Sequence, residues 1–229
     1  MSSFARTGRK IVAIGRNYAD HAKELGNAVP KEPFFFLKPP SSYLQQGEGP
    51  IELPKGTDVH YEVELGVVIG KPGRDISKAN AENHIAGYAL AIDMTARNIQ
   101  DAVKKKGLPW STAKGFDTFT PIGPFIEKSK IKEISKVGLH LSLNGQVKQS
   151  GTAQDMIFDV PHLLNFVSSI MKLEEGDLIL TGTPAGVGRV QDGDKIEAKL
   201  TYPELDGEVL SQISYEAKHR QGGEYEFKG

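Results

Sequence analysis

Glu62 and Glu64 stand one residue apart in VHYEVELGVVIG, and Asp93 closes a second apolar run, GYALAIDMT. Successive side chains of a strand point to opposite faces, so an E-x-E pair sends both carboxylates to the same side, where they repel unless a cation lies between them. The wet face of an antiparallel strand would hold such acids equally well. Asp93 has no such explanation, because it ends a run without alternation and aspartate is depleted in strands. Three converging carboxylates would form an all-oxygen site for Mg²⁺ or Mn²⁺, ions that take such ligands and keep positions open for water or substrate.

Other polar residues recur where a β-rich domain has no need of them. IGRNYADHAKEL carries His21 and Glu24 three residues apart, on one face of a helix if a helix forms there. A carboxylate that orients an imidazole and stabilises its charged form lets the pair hold and deprotonate a water; an ordinary surface helix is the alternative. In DMTARNIQD, Arg97 and Gln100 follow Asp93 at one-turn spacing and could lean over the acids, the guanidinium suiting a carboxylate. Lys114 lies among aromatics in LPWSTAKGFDTF, where desolvation would lower its pKa and an ammonium could neutralise a developing enolate; a surface lysine with its stem on apolar neighbours is the other reading. Lys38 and Arg16 flank apolar strands and would add positive charge to the same pocket, which would signal an anionic substrate chelated at the metal.

The elements that must position these residues are mostly strands. They are read at KIVAIG, FFFLKP, EVELGVVIG, GYALAIDMT, GLHLSLNGQV, DLILTG, DKIEAKLT and SQISYEAK, several separated by Asn-Gly, Asp-Gly or Gly-Asp steps typical of hairpins. Helical patterns are fewer: a short polar one over Tyr18–Leu25, one over Ala96–Lys106 with Thr95 as N-cap, and an amphipathic one over Val160–Leu173 with Pro161 in its first turn. LEEGDLILTGTPAGVG leads from that helix through a strand into a glycine-rich loop whose Gly182, Gly186 and Gly188 fit neither a dinucleotide fingerprint nor a P-loop.

Composition narrows the partners. The chain has 229 residues, enough for the core of one β-rich α+β domain spanning 1–229. Lys and Arg number 28 against 29 Asp and Glu, so no global field attracts nucleic acid or an anionic membrane surface. The absence of cysteine excludes disulfides and thiolate metal sites. No apolar run approaches the roughly 20 residues of a membrane-spanning helix. The start, MSSFARTGRK, is basic and free of acids as transit peptides are, but short.

GRNYADH, FFFLKP, YEVELGVVIG, DMTARNIQD, KKKGLPWSTAKGFDTFTPIGPF and LEEGDLILTGTPAGVG, in this order and spacing, resemble the fumarylacetoacetate hydrolase family over nearly the whole chain. Within that family the chain is similar to the single-domain acylpyruvase and oxaloacetate decarboxylase branch and its fungal mitochondrial oxaloacetate tautomerase relatives. The resemblance implies a mixed β-sandwich roll of the C-terminal-domain type, a homodimer, and Mg²⁺ with Mn²⁺ as substitute, held by Glu62, Glu64 and Asp93. It implies that His21 and Glu24 activate water from a lid segment, that Lys114 is catalytic, and that Arg97, Gln100 and Thr183 contact substrate, to which the charge reading above adds Arg16. Mitochondria are the implied compartment, with cytoplasm as the alternative.

The implied chemistry starts from a 2-oxo acid whose enolate is stabilised at the metal. A 3-acylpyruvate would be cleaved by water to pyruvate and a carboxylate, and oxaloacetate would lose CO₂ directly. The same site could instead move one proton between C3 and the C2 oxygen, an oxaloacetate keto–enol tautomerase. A metal-stabilised binding protein without turnover is the reading from another class, and it leaves His21 and Glu24 without a purpose.

Overall fold

The computed structural model describes residues 3–26, 28–203 and 208–229. In chain order the elements begin with α1 (Phe4–Thr7), β1 (Ile11–Ile14), α2 (Ala19–Glu24), β2 (Phe35–Lys38), β3 (Tyr43–Gln45), β4 (Ile51–Leu53), β5 (Val59–Tyr61) and β6 (Val63–Ile69). They continue with β7 (Ile85–Ile92), β8 (Thr95–Ala96), α3 (Arg97–Lys105), α4 (Ser111–Lys114), β9 (Thr120–Ile122), β10 (Ile126–Glu127), β11 (Gly138–Leu143) and β12 (Gln146–Thr152). The last are α5 (Val160–Ile170), β13 (Leu178–Leu180), β14 (Gly188–Arg189), β15 (Lys195–Tyr202) and β16 (Glu208–His219). Among the described residues an eight-stranded sheet runs β2-β1-β13-β6-β7-β9-β3 with β10 also on β7, a five-stranded sheet runs β12-β11-β15-β16-β4, and β14-β5-β8 form a small third sheet. Pairing is mixed, with β1–β13, β3–β9 and β4–β16 parallel.

Strand alternation explains how the large sheet is covered. In β1, Val12 and Ile14 join the main core while Ile11 and Ala13 join a second cluster; in β7, Tyr88, Leu90 and Ile92 face the first and Ala89 and Ala91 the second. The main core lies where β11, β15 and β16 pack across β6 and β7, which makes the body a β-sandwich. Both faces of the large sheet are therefore dry at its central strands, and β6 is buried at all seven positions, as its nearly continuous apolar sequence requires. Glu64 shares a face with Val68 of the second cluster and stands opposite Ala91. α5 closes one flank with a stripe of Val160, Leu163, Leu164 and Val167, and Asp159 caps it by accepting from the His162 N–H at 2.9 Å.

The sheet-rich α+β expectation holds, with local corrections. GLHLSLNGQV is two strands, β11 and the start of β12, because Asn144 and Gly145 both take positive φ (51° and 78°) in a tight turn. Thr95 does not cap a helix: it pairs with His60 in the small sheet, and α3 begins after Ala96 without a side-chain cap. The helix over 160–173 ends at Ile170, and the Asp-Gly step at 206–207 lies outside the described residues. Three-residue strands such as β3, β5 and β9, and the four-residue α4, are too short to impose a period on the sequence.

Candidate metal centre and active-site cleft

The strand carrying the two glutamates is broken at Glu62, between β5 and β6, yet both acids keep the same side. The Asp93 N–H donates to the Glu62 carbonyl at 2.8 Å, which sets Asp93 opposite Glu62 just past the end of β7. Glu62, Glu64 and Asp93 are 5%, 2% and 1% exposed, so the wet-face reading is excluded. One oxygen from each lies within 4.8 Å of the others.

Buried cations surround these acids. Lys114 Nζ donates to Glu62 Oε2 at 2.9 Å and Asp93 Oδ2 at 2.6 Å; Lys38 Nζ donates to the other oxygen of Asp93 and to the Phe119 carbonyl at 2.8 Å. Arg97 reaches Glu62 with one guanidinium nitrogen and donates to Gln100 Oε1 at 2.6 Å with another. Burial alone would raise the Glu62 carboxyl, but Lys114 and Arg97 hold it well below the usual range. Among the described residues Glu64 accepts a hydrogen bond only from the Gly182 N–H, at 2.7 Å, and burial together with the charges of Asp93 and Glu62 pushes its carboxyl well above the usual range. The expected lowering of Lys114 is overturned: burial does act that way, but Asp93 and Glu62 outweigh it and raise the ammonium's pKa. Lys38 goes the other way, because its desolvation exceeds the attraction of Asp93.

This donor set fits a divalent metal. Three buried carboxylates converge, and the one without a cation at its side is the one driven to keep a proton. A doubly charged ion placed among them would take over that proton's task.

A cleft of about 290 Å³ opens over the acids, and Arg16, His21, Glu24, Arg97, Gln100, Lys114 and Thr183 all line it. The expected residues are thus brought together. His21 and Glu24 lie on α2, with Nδ1 and Oε2 3.3 Å apart, and the Glu24 carboxylate accepts from the Gly186 N–H at 3.0 Å and 3.2 Å. With Nδ1 facing Glu24, Nε2 is the ring nitrogen left for a ligand. Arg16 holds a left-handed backbone (φ 55°) in the turn after β1, and its guanidinium lies 5.5 Å from the centroid of the Phe34 ring. Phe36 and Trp110, 5.3 Å apart, form an apolar wall.

His60 also lines the cleft and was not anticipated. Its ring sits 3.4 Å from Asp58 Oδ2, and burial followed by the charge of Arg97 lowers its pKa. The period of two that links Glu62 to Glu64 extends back to His60 and carried that signal. The backbone amides of Gly182 and Gly186 have no comparable mark in the sequence, since a glycine discloses a turn but not what its N–H meets.

Residues 10–210 match the family model described as fumarylacetoacetate (FAA) hydrolase C-terminal. The chain is 59% identical over 207 residues to a mitochondrial oxaloacetate decarboxylase of Dictyostelium discoideum, covering 90% of this chain and 95% of that protein. It is 51% identical over 216 residues to a mitochondrial oxaloacetate tautomerase of Arabidopsis thaliana, covering 94% and 93%. Its fold superposes on the crystal structure of fumarylpyruvate hydrolase from Pseudomonas aeruginosa in complex with Mn²⁺ and pyruvate with a TM-score of 0.84 at 35% identity, covering 93% and 91%.

Proposed function

The chain belongs to the fumarylacetoacetate hydrolase family, and from that premise we propose that it is an enzyme of small anionic 2-oxo acids, oxaloacetate first among them, that forms and reprotonates an enolate. One observation carries this reading: fully ionised, the three carboxylates are balanced by Lys38, Lys114 and Arg97, so a divalent ion leaves the pocket doubly positive. A dianion such as oxaloacetate or its enol restores neutrality there.

The proposed ion is Mg²⁺, with Mn²⁺ as substitute, held by Glu62, Glu64 and Asp93. Bound there it supplies Lewis acidity toward the substrate's oxygens. Arg16, Arg97, Gln100 and the Thr183 hydroxyl take the carboxylates, the guanidinium groups by charge-assisted hydrogen bonds. Lys114, which donates to Glu62 and Asp93, is a fixed positive charge beside the developing C2 oxyanion. His21, oriented by Glu24, moves the proton at C3.

Hydrolytic cleavage of 3-acylpyruvates is the second reading. The Gly186 N–H clamp on Glu24 favours it, because a carboxylate so held keeps His21 in one orientation for deprotonating a water. We further propose one catalytic domain over 1–229, a mitochondrial location as in the relatives' names, and a homodimer that covers the apolar edge of β2, where Leu37 is 45% exposed. Neither nucleic acid nor membrane enters this proposal, and among the described residues no helix is long and apolar enough to cross a membrane.

The test is to give purified protein and Mg²⁺ first enol-oxaloacetate and then acetylpyruvate, following ketonisation, CO₂ and pyruvate separately. Ketonisation is expected to be fastest. Dominant acetylpyruvate cleavage would favour the hydrolase reading, and no change in any signal would overturn both.

A further inference from the structure

β12 is an edge strand exposed at Gln146, Val147 and Lys148, yet Gln149 is fully buried. A bulge is responsible: Leu141 opposes Gln149 and Ser142 opposes Val147, so Lys148 is left over and the strand's alternation breaks where Gln149 turns inward. The Gln149 amide is then satisfied on both sides. Its Oε1 accepts from the Val63 N–H at 2.9 Å, and its Nε2 donates to the Pro184 carbonyl at 2.8 Å and to Thr183 Oγ1 at 2.8 Å.

These partners fix which way round the amide lies. Val63 N–H can only donate, so it demands the oxygen, and the Pro184 carbonyl can only accept, so it demands the NH₂ group. Thr183 Oγ1 therefore receives a hydrogen from Gln149, and its single proton is directed elsewhere. Among the described residues the Thr183 hydroxyl makes no other hydrogen bond, and Thr183 lines the cleft. We propose that Gln149 is the positioning residue that makes the Thr183 hydroxyl a dedicated donor to an anionic ligand in the cleft, an inference that rests on the 2-oxo acid reading above. The same amide is anchored on the Val63 N–H, which fixes where the Thr183 hydroxyl stands in the cleft.

The test uses pyruvate as an unreactive anion, titrated calorimetrically into protein saturated with Mn²⁺, with Mn²⁺ titrated alone as a separate measurement. Gln149→Met and Thr183→Val should each weaken pyruvate about tenfold, the scale of one hydrogen bond to a charged group, while Mn²⁺ alone changes little. The double variant should bind pyruvate no more weakly than Thr183→Val, because Gln149 acts through that hydroxyl, and Thr183→Ser should retain binding. Gln149→Glu keeps an acceptor for the Val63 N–H but turns the Thr183 proton back toward itself, so it should repeat the loss of pyruvate affinity, with a lower melting temperature because its buried carboxylate then faces the Pro184 carbonyl. Additive losses, or a loss of Mn²⁺ affinity as large as the loss for pyruvate, would overturn the proposal alone. Wild-type protein that binds Mn²⁺ but not pyruvate would overturn the substrate reading and this inference with it.

Discussion

The carboxylate cluster and the α2 segment face each other across one cleft and are built in opposite ways. Asp93 is gripped by two lysines, Glu62 by a lysine and an arginine, and Glu64 by a backbone amide, all beside a sheet whose central strands are dry on both faces. α2 has six residues and no side-chain N-cap, it gives way to a left-handed Gly26 (φ 65°), and Glu24 ties it to the opposite rim through Gly186 N–H. A helix that short has no stability of its own. The three acids are thus built into the core, while His21 and Glu24, proposed above to move the proton, sit on a short helix held by the burial of Tyr18, His21 and Ala22 and by the Gly186 N–H.

The hardest way to break that division is on the core side. Glu64→Gln should weaken Mn²⁺ by on the order of 10²-fold or more, above the 10–100-fold typical of groups behind the ligands, and reduce turnover of every substrate to background; near-normal kinetics at low metal would show that Glu64 is no ligand. His21→Ala strikes the other side. It should cost on the order of 10²–10⁴ in acylpyruvate cleavage, the range for a lost general base, while Mn²⁺ titration stays at the wild-type value, and a parallel fall in metal affinity would mean that the two regions are one unit. Lys114→Met lies between them. It should lower turnover yet tighten Mn²⁺ several-fold, since an ammonium 2.6 Å and 2.9 Å from two of the acids opposes any further cation; looser binding would mean that the lysine supports the ligands instead.

The smallest effect is in pH. Glu64 has a folded pKa above its unfolded value, so the stability it lends the metal-free protein is present below the ordinary carboxylate range, about 4.3, and is lost as pH rises through the folded value. A metal ion replaces that proton, so Mg²⁺ should release protons on binding and raise the melting temperature more as pH climbs through this window. Calorimetry in two buffers of different ionisation enthalpy measures the release, and a proton count of zero would contradict the assignment.

The sequence disclosed the chemistry of this site more readily than its support. E-x-E, the helical spacing of His21 with Glu24 and that of Arg97 with Gln100 are local patterns, and local patterns survive in one dimension. The sign of the Lys114 shift was not legible, because burial was foreseeable from its aromatic neighbours but the closeness of two carboxylates from β5–β6 and β7 was not. Gln149 was invisible for a related reason: a bulge on an exposed strand leaves no period behind, and the partners of the amide come from 63 and 183–184. Short strands were missed wherever pairing with distant neighbours, rather than propensity, made them strands.

The parallel pairing of β1 with β13 joins Ile11 to Leu178, across most of the sequence. During synthesis the first strand therefore waits for its neighbour until most of the polypeptide has left the ribosome, and such non-local pairing slows folding at any given stability. Gly182, the backbone anchor of Glu64, emerges later still, so nascent chains of intermediate length hold all three acids without the loop that steadies one of them. A metal ion can reward the finished fold, but it has no complete cradle with which to template the early one.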